Sequence, residues 1–140
     1  MAKTQAVSTE NTLAPDLKAV SAFDAAALDH IRQLRQPGRE NPVIRMIDIY
    51  FIRTPELIAQ MQDALACGDA EDFMAAAHSL KSNSAFVGAM RVSELSRRLE
   101  YMAKFDQWHA PKAVLALLKK EDRRAQEILE EEKKREESAP

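Results

Sequence analysis

Apolar residues recur along most of this chain at spacings of three and four, the repeat of helices that each bury one face. From Asp24 to about Gln33 the stripe is Ala27, Leu28, Ile31 and Leu34; Asp24 can cap its start, and Pro37-Gly38 ends it. Asn41-Pro42 is a good start for a second, long helix: a cap, then proline in the first turn. Ile44, Ile47, Phe51, Ile58, Met61 and Leu65 line it, with a second apolar edge of Val43, Met46, Tyr50, Leu57 and Ala64. So broad a face predicts a central helix that touches more than one neighbour. Thr54-Pro55 predicts a kink, or a restart capped by Thr54, and Gly68 closes the segment.

A third helix is predicted from an Asp69 cap to about Val87, with Phe73, Ala77, Leu80, Ser84 and Val87 inward and Gly88 as its break. A fourth, from about Ala89 to Lys104, would bury Val92, Leu95, Leu99 and Met102. Phe105 to Trp108 reads as a connection, with Trp108 packing over the bundle end. Pro111 can start a last helix that presents Val114, Leu117, Leu118, Ala125 and Ile128. Apolar-polar alternation of the strand type is absent. The pattern therefore predicts an all-α fold, an antiparallel up-and-down four-helix bundle with a short extra N-terminal helix. Residues 1–20 read as a flexible tail, 21–129 as the bundle, and 130–140 as a charged, solvated helical extension or tail that frays before Pro140.

Composition narrows the function. The chain has 140 residues, 46% apolar, with 3 glycines, which suits one helical domain with an ordinary core. A formal net charge of -2 and no basic stripe argue against nucleic-acid binding. Val43 to Ile52, the most apolar stretch, is short and carries Arg45 and Asp48, so no membrane association is expected. The N-terminus has no apolar signal-peptide core. The single Cys67 rules out an internal disulfide and fits a reducing, cytoplasmic setting, as a small buried or half-buried residue near a helix end. His30, His78 and His109 fall in separate segments without cysteine partners, so neither a metal site nor a bound cofactor is expected.

On the third helix Phe73, Ala77, Leu80 and Ser84 cluster in one inward sector, and His78 points away from it. Met74, Ala75, Lys81, Ser82 and Ala85 share its outer face, and most of them are small. An imidazole nitrogen is nucleophilic near neutral pH. To take a phosphoryl group from another protein it must be exposed, with small side chains a turn away and a cation near. Ser82 and Lys81 meet those needs. Positioning is most of what phosphoryl transfer asks of a protein. The same features also suit an ordinary surface histidine, and periodicity alone does not choose between the two.

The stretch Ala77-His78-Ser79-Leu80-Lys81-Ser82, then Gly88-Ala89, then Leu95 and Leu99-Glu100, resembles the signature of histidine-phosphotransfer (HPt) domains. Phe51-Ile52-Arg53-Thr54-Pro55-Glu56-Leu57 is similar to that family's central-helix pattern, and Ala66-Cys67-Gly68-Asp69 to its loop before the histidine helix. The likeness runs from about Phe23 to Ile128. Ser82 stands where many members carry glycine, and Val92 where leucine is usual. The resemblance implies that His78 receives a phosphoryl group on Nε2 from a receiver-domain aspartate and passes it to another. Lys81 would stabilise the group, Ser82 would keep the approach open, and Gly88 would let the chain turn. The implied partners are receiver domains of hybrid histidine kinases and response regulators; any magnesium belongs to the receiver, and the protein is expected to be a monomer. The docking patch expected around His78 comprises Glu71, Met74, Ala75, Lys81, Ser82 and Ala85.

Three other readings compete. One is an adaptor bundle that binds receiver domains without passing phosphate. Another is the phosphoacceptor domain of a chemotaxis-type kinase, but the chain shows no glycine-rich nucleotide motif, so no autokinase activity is expected. The third, a cofactor-binding bundle, needs Glu-x-x-His pairs on facing helices, which are absent.

Overall fold

Four of the five helices start at a side-chain cap or a proline. In the computed structural model, which describes residues 17–139, Asp24 accepts from the Ala26 amide at 3.1 Å and opens α1, Ala25–Arg32. Asn41 accepts from the Val43 amide at 2.9 Å and opens α2, Pro42–Cys67. Gly68, at φ 75°, closes α2. Asp69 accepts from the Asp72 amide at 3.0 Å and starts α3, Ala70–Phe86. Two further helices follow: α4, Met90–Lys104, and α5, Pro111–Ser138. All five are helical and no strand occurs among the described residues. Pairing of α2 with α3, α3 with α4, α4 with α5 and α5 with α2 closes an antiparallel bundle, with α1 across one end.

The turn between α3 and α4 determines the site. The Ala89 amide reaches the Ser84 carbonyl at 2.8 Å and the Gly88 amide reaches Ala85 at 3.1 Å, a Schellman closure. Gly88 takes φ +87°, a left-handed conformation that a side chain resists. Its carbonyl accepts from the Asp24 amide at 2.9 Å, tying the entry of α1 to the hairpin. A Cβ on Gly88 would collide with the Asp24 carbonyl oxygen.

The core of α3 and α4 matches the pattern read from sequence: Phe73, Ala77, Leu80, Ser84, Val87, Val92, Leu95, Leu99 and Met102 are all buried. Elsewhere the structure differs. Leu34 is 66% exposed, because α1 ends at Arg32 and its stripe does not continue. On α2 the expected second edge is inside at Val43, Tyr50, Leu57 and Ala64 but only half-buried at Met46, and on the first edge Ile44, Phe51 and Leu65 are half-buried. Pro55 sits on the exposed side, where water can serve the carbonyl it leaves unpaired, and the helix runs on unbroken. On α5 Leu115 and Leu129 are buried in place of Leu117 and Ile128. Trp108 packs edge-on to Phe73, ring centroids 5.1 Å apart, at the bundle end. Cys67 is exposed.

The first and last described segments are tied in more firmly than their composition implies. Residues 1–16 of the expected tail lie outside the described residues, as does Pro140. Leu17, however, is in the core, and the Val20 carbonyl accepts from Arg91 Nε at 2.8 Å. The charged extension stays helical to Ser138 rather than remaining solvated throughout. Glu136 is buried, receiving Arg32 Nη2 at 2.9 Å, and Lys133 reaches Asp48 at 2.7 Å.

Candidate functional site

α3 buries Phe73, Ala76, Ala77, Leu80 and Ser84 and turns its other face to solvent. His78 stands on that outer face with 62% of its side chain exposed. Its Nδ1 lies 2.7 Å from Glu100 Oε2, on α4. A carboxylate accepts only, so Nδ1 carries the hydrogen and the neutral ring keeps its lone pair on Nε2. Nε2 is the nitrogen that the structure leaves without a protein partner among the described residues. The same carboxylate receives Lys81 Nζ on Oε1 at 2.6 Å. One buried-edge carboxylate thus orients both the imidazole and the ammonium.

The electrostatics follow from that sharing. Burial alone would raise the Glu100 pKa, but the hydrogen bonds from Lys81 and His78 and the Lys81 charge outweigh it and hold the carboxyl below its usual range. Glu100 therefore remains an anion at neutral pH, available to compensate positive charge on the ring.

Of the residues singled out from sequence, Ala75, Ser82 and Glu71 are exposed, and Met74, Ala85 and Lys81 are half-buried. Ser82 lies one turn beyond His78, small and exposed. Glu71 lies seven residues before His78, about 10 Å along the axis, and belongs to the first turn of α3. Lys81 is near the ring as expected, but its ammonium is already paired with Glu100 rather than free. Gly88 forms the turn. Sequence reading placed Glu100 in a motif without giving it a task. The signal was available: His78 and Glu100 are equally far from Ala89, the pivot of an antiparallel hairpin, so they face each other.

A second neighbourhood also escaped notice. Met46, Ile49 and Tyr50 of α2, with Ser82, Asn83 and Phe86 of α3, line a hollow of about 210 Å³ beside the His78 face. Its floor is firm: buried Tyr50 donates to Asp122 Oδ1 at 2.7 Å, and Gln126 Nε2 donates to Asp122 Oδ2 at 2.9 Å. Burial, then the Asp122 charge, pushes the Tyr50 hydroxyl well above its usual pKa. Burial raises Asp122 too, against the bonds from Tyr50 and Gln126. No group of three or more His, Cys, Asp or Glu is placed to hold a metal ion among the described residues. None of the described helices is long and apolar enough to cross a membrane.

Residues 45–131, more than half of the chain, match the family model described as Hpt domain. The crystal structure of histidine-containing phosphotransfer protein B (HptB) from Pseudomonas aeruginosa PAO1 has the same fold. Its TM-score is 0.73 over 81% of this chain and 96% of that one, at 21% identity. No curated protein matches the sequence.

Proposed function

Because the chain belongs to the Hpt domain family, whose members are phosphocarriers, we propose that His78 is its phosphoacceptor and that it relays phosphoryl groups between receiver domains. The observation that carries this reading is the exposed imidazole whose Nδ1 is held by Glu100, with no protein partner on Nε2 among the described residues. The Nε2 lone pair attacks the phosphorus of a receiver's aspartyl phosphate in line, and the P–O bond to the aspartate breaks with its electron pair leaving on the carboxylate. The ring is then a phosphorylated imidazolium, whose positive charge faces Glu100. In the onward step an acceptor carboxylate attacks the phosphorus, and the N–P electron pair returns to Nε2. No proton needs to move in either direction.

Lys81 turns from Glu100 toward the arriving phosphate, which brings about two negative charges. Ser82 admits the receiver. The chain acts as a carrier without autokinase activity, in a cytoplasmic setting consistent with a single cysteine.

The test is transfer of label from a phosphorylated receiver domain to the protein and to His78→Ala, with circular dichroism of both. The expected result is acid-labile, base-stable label on the wild type alone. Equal labelling of both proteins would move the acceptor elsewhere. Absence of label on either, across a panel of receivers from one cell, would favour an adaptor that only binds them.

A further inference from the structure

The outer face of α5 carries its charges in an order that an isolated helix does not favour. Anions are favourable near a helix N-terminus and cations near its C-terminus. Yet Lys112, Lys119 and Arg123 stand in the first half of α5, and Glu127, Glu130 and Glu137 in the second. All six are exposed and none forms an ion pair among the described residues, although most other charges of that helix are paired. We propose that this face, with the adjoining side of α2, binds a second copy of the chain across a two-fold axis, the two α5 helices running antiparallel. The proposal does not depend on the phosphocarrier reading, and it departs from the monomer that the family resemblance implies.

At about 100° per residue, Lys112, Lys119, Glu130 and Glu137 fall within about 20° of one another around α5. Lys112 and Glu137 are equally far from the midpoint between Arg124 and Ala125, and so are Lys119 and Glu130. A two-fold axis perpendicular to α5 at that midpoint lays Lys119 on Glu130 of the second copy and Lys112 on its Glu137, and each contact occurs twice. Arg123 reaches Glu127 of the second copy at the centre. α2 is in register with this arrangement, since Asp48 meets Lys133 on one side of the midpoint and Pro55 shares a hollow with Arg123 on the other. Ile52, 62% exposed, and Pro55 therefore sit level with the axis, where the two copies present them to each other. Ala59 and Ala66, farther along α2, are exposed and small, so the copies can approach closely.

From Lys112 to Glu137 the face is about 38 Å long and, across two helices, about 20 Å wide, which gives about 750 Å² per copy against the ~800 Å² of a specific interface. Exposed ion pairs contribute little one by one, so the dimer is weak and sensitive to salt. Charge acts chiefly on register: a parallel pairing would set Lys112 against Lys112 and Glu130 against Glu130, and only the antiparallel one is complementary. His78 meets Glu100 on the α3–α4 side, across the bundle from the α2–α5 side. Both phosphoacceptors of the dimer therefore stay open and face apart.

Sedimentation equilibrium of the full chain tests this, with circular dichroism of every variant. Wild type is expected to populate a dimer at about 200 µM in about 0.02 M salt and to revert to monomer in about 0.5 M salt. Lys119→Glu and Glu130→Lys each set like charges against each other across the axis, and each should weaken dimerisation at least about tenfold. An equimolar mixture of the two variants restores opposite charges at both contacts and should recover the dimer. Mixing cannot repair a residue whose role lies only within its own fold, so recovery separates an interface from a local effect on α5. A wild type that stays monomeric at that concentration in low salt, single variants that dimerise as wild type does, or a mixture that remains monomeric would each overturn the proposal.

Discussion

Glu100 binds His78 through one carboxylate oxygen and Lys81 through the other, so its loss removes two kinds of support at once. Glu100→Ala should lower the rate of phosphoryl uptake by up to about a hundredfold, the scale expected when a reacting group loses its orientation. Glu100→Gln retains an oxygen for the Nδ1 hydrogen and should recover part of that rate. Imidazole 15N shifts would separate orientation from folding: one tautomer in the wild type, a mixture in the alanine variant. Equal rates in all three proteins would show that the contact has no functional weight. Ser82→Trp tests the opposite face of the argument. It should abolish transfer with helicity unchanged, because the new ring occupies the approach to Nε2. The exposure of His78 was legible from spacing alone, since Phe73, Ala77, Leu80 and Ser84 define the inward sector it avoids. Glu100 was not, because its meaning depends on which helix lies opposite.

At the scale of elements, the α3–α4 hairpin is the part most completely readable, since Asp69 and Gly88 mark its start and its turn without ambiguity. Gly88→Ala should destabilise the domain by at least about 1–2 kcal/mol from backbone conformation alone. The collision with the Asp24 carbonyl adds to this. A chemical-denaturation midpoint equal to wild type would refute the requirement for glycine there. The long helices were harder to read in detail. On α2 apolar residues occupy more than half the circumference, so spacing could not say whether Tyr50 or Phe51 faces inward. The answer came from α5, where Asp122 supplies the Tyr50 hydroxyl with a partner. On α5 the charged residues Glu121 and Asp122 are buried, which no apolar pattern announces.

For the molecule as a whole, acid stability reflects opposing carboxylates. Glu94, Glu100 and Glu136 have folded pKa values below their usual range, so the stability they contribute is present above that range and is lost as pH falls. Asp122 has the reverse sign: its raised folded pKa favours the protonated form, a contribution present at low pH and lost as pH rises through that pKa. Asp122→Asn keeps an oxygen for Tyr50 and removes the buried charge. Its melting temperature should exceed that of the wild type by a few degrees at neutral pH, and the gap should close as pH drops below the ordinary carboxylate range. A gap that is independent of pH would show that the Asp122 charge is not what costs stability. The pairing of Glu136 with Arg32 also makes the end of α5 part of the folded unit, although the sequence there reads as a solvated charge run. A single buried glutamate within the charge run of residues 130–138 leaves no periodic trace.

The equal distance of His78 and Glu100 from Ala89 bears on how such a chain can change in length. One residue inserted between His78 and the turn, or between the turn and Glu100, would rotate one side chain by about 100° and shift it by about 1.5 Å relative to the other. The 2.7 Å contact could not survive that. Indels should therefore be excluded from residues 78–100 and tolerated in the connections at 33–40 and 105–110, which carry neither partner. The matched spacing of His78 and Glu100 about Ala89 is, on this view, the mark that a rigid two-helix gear leaves on the chain.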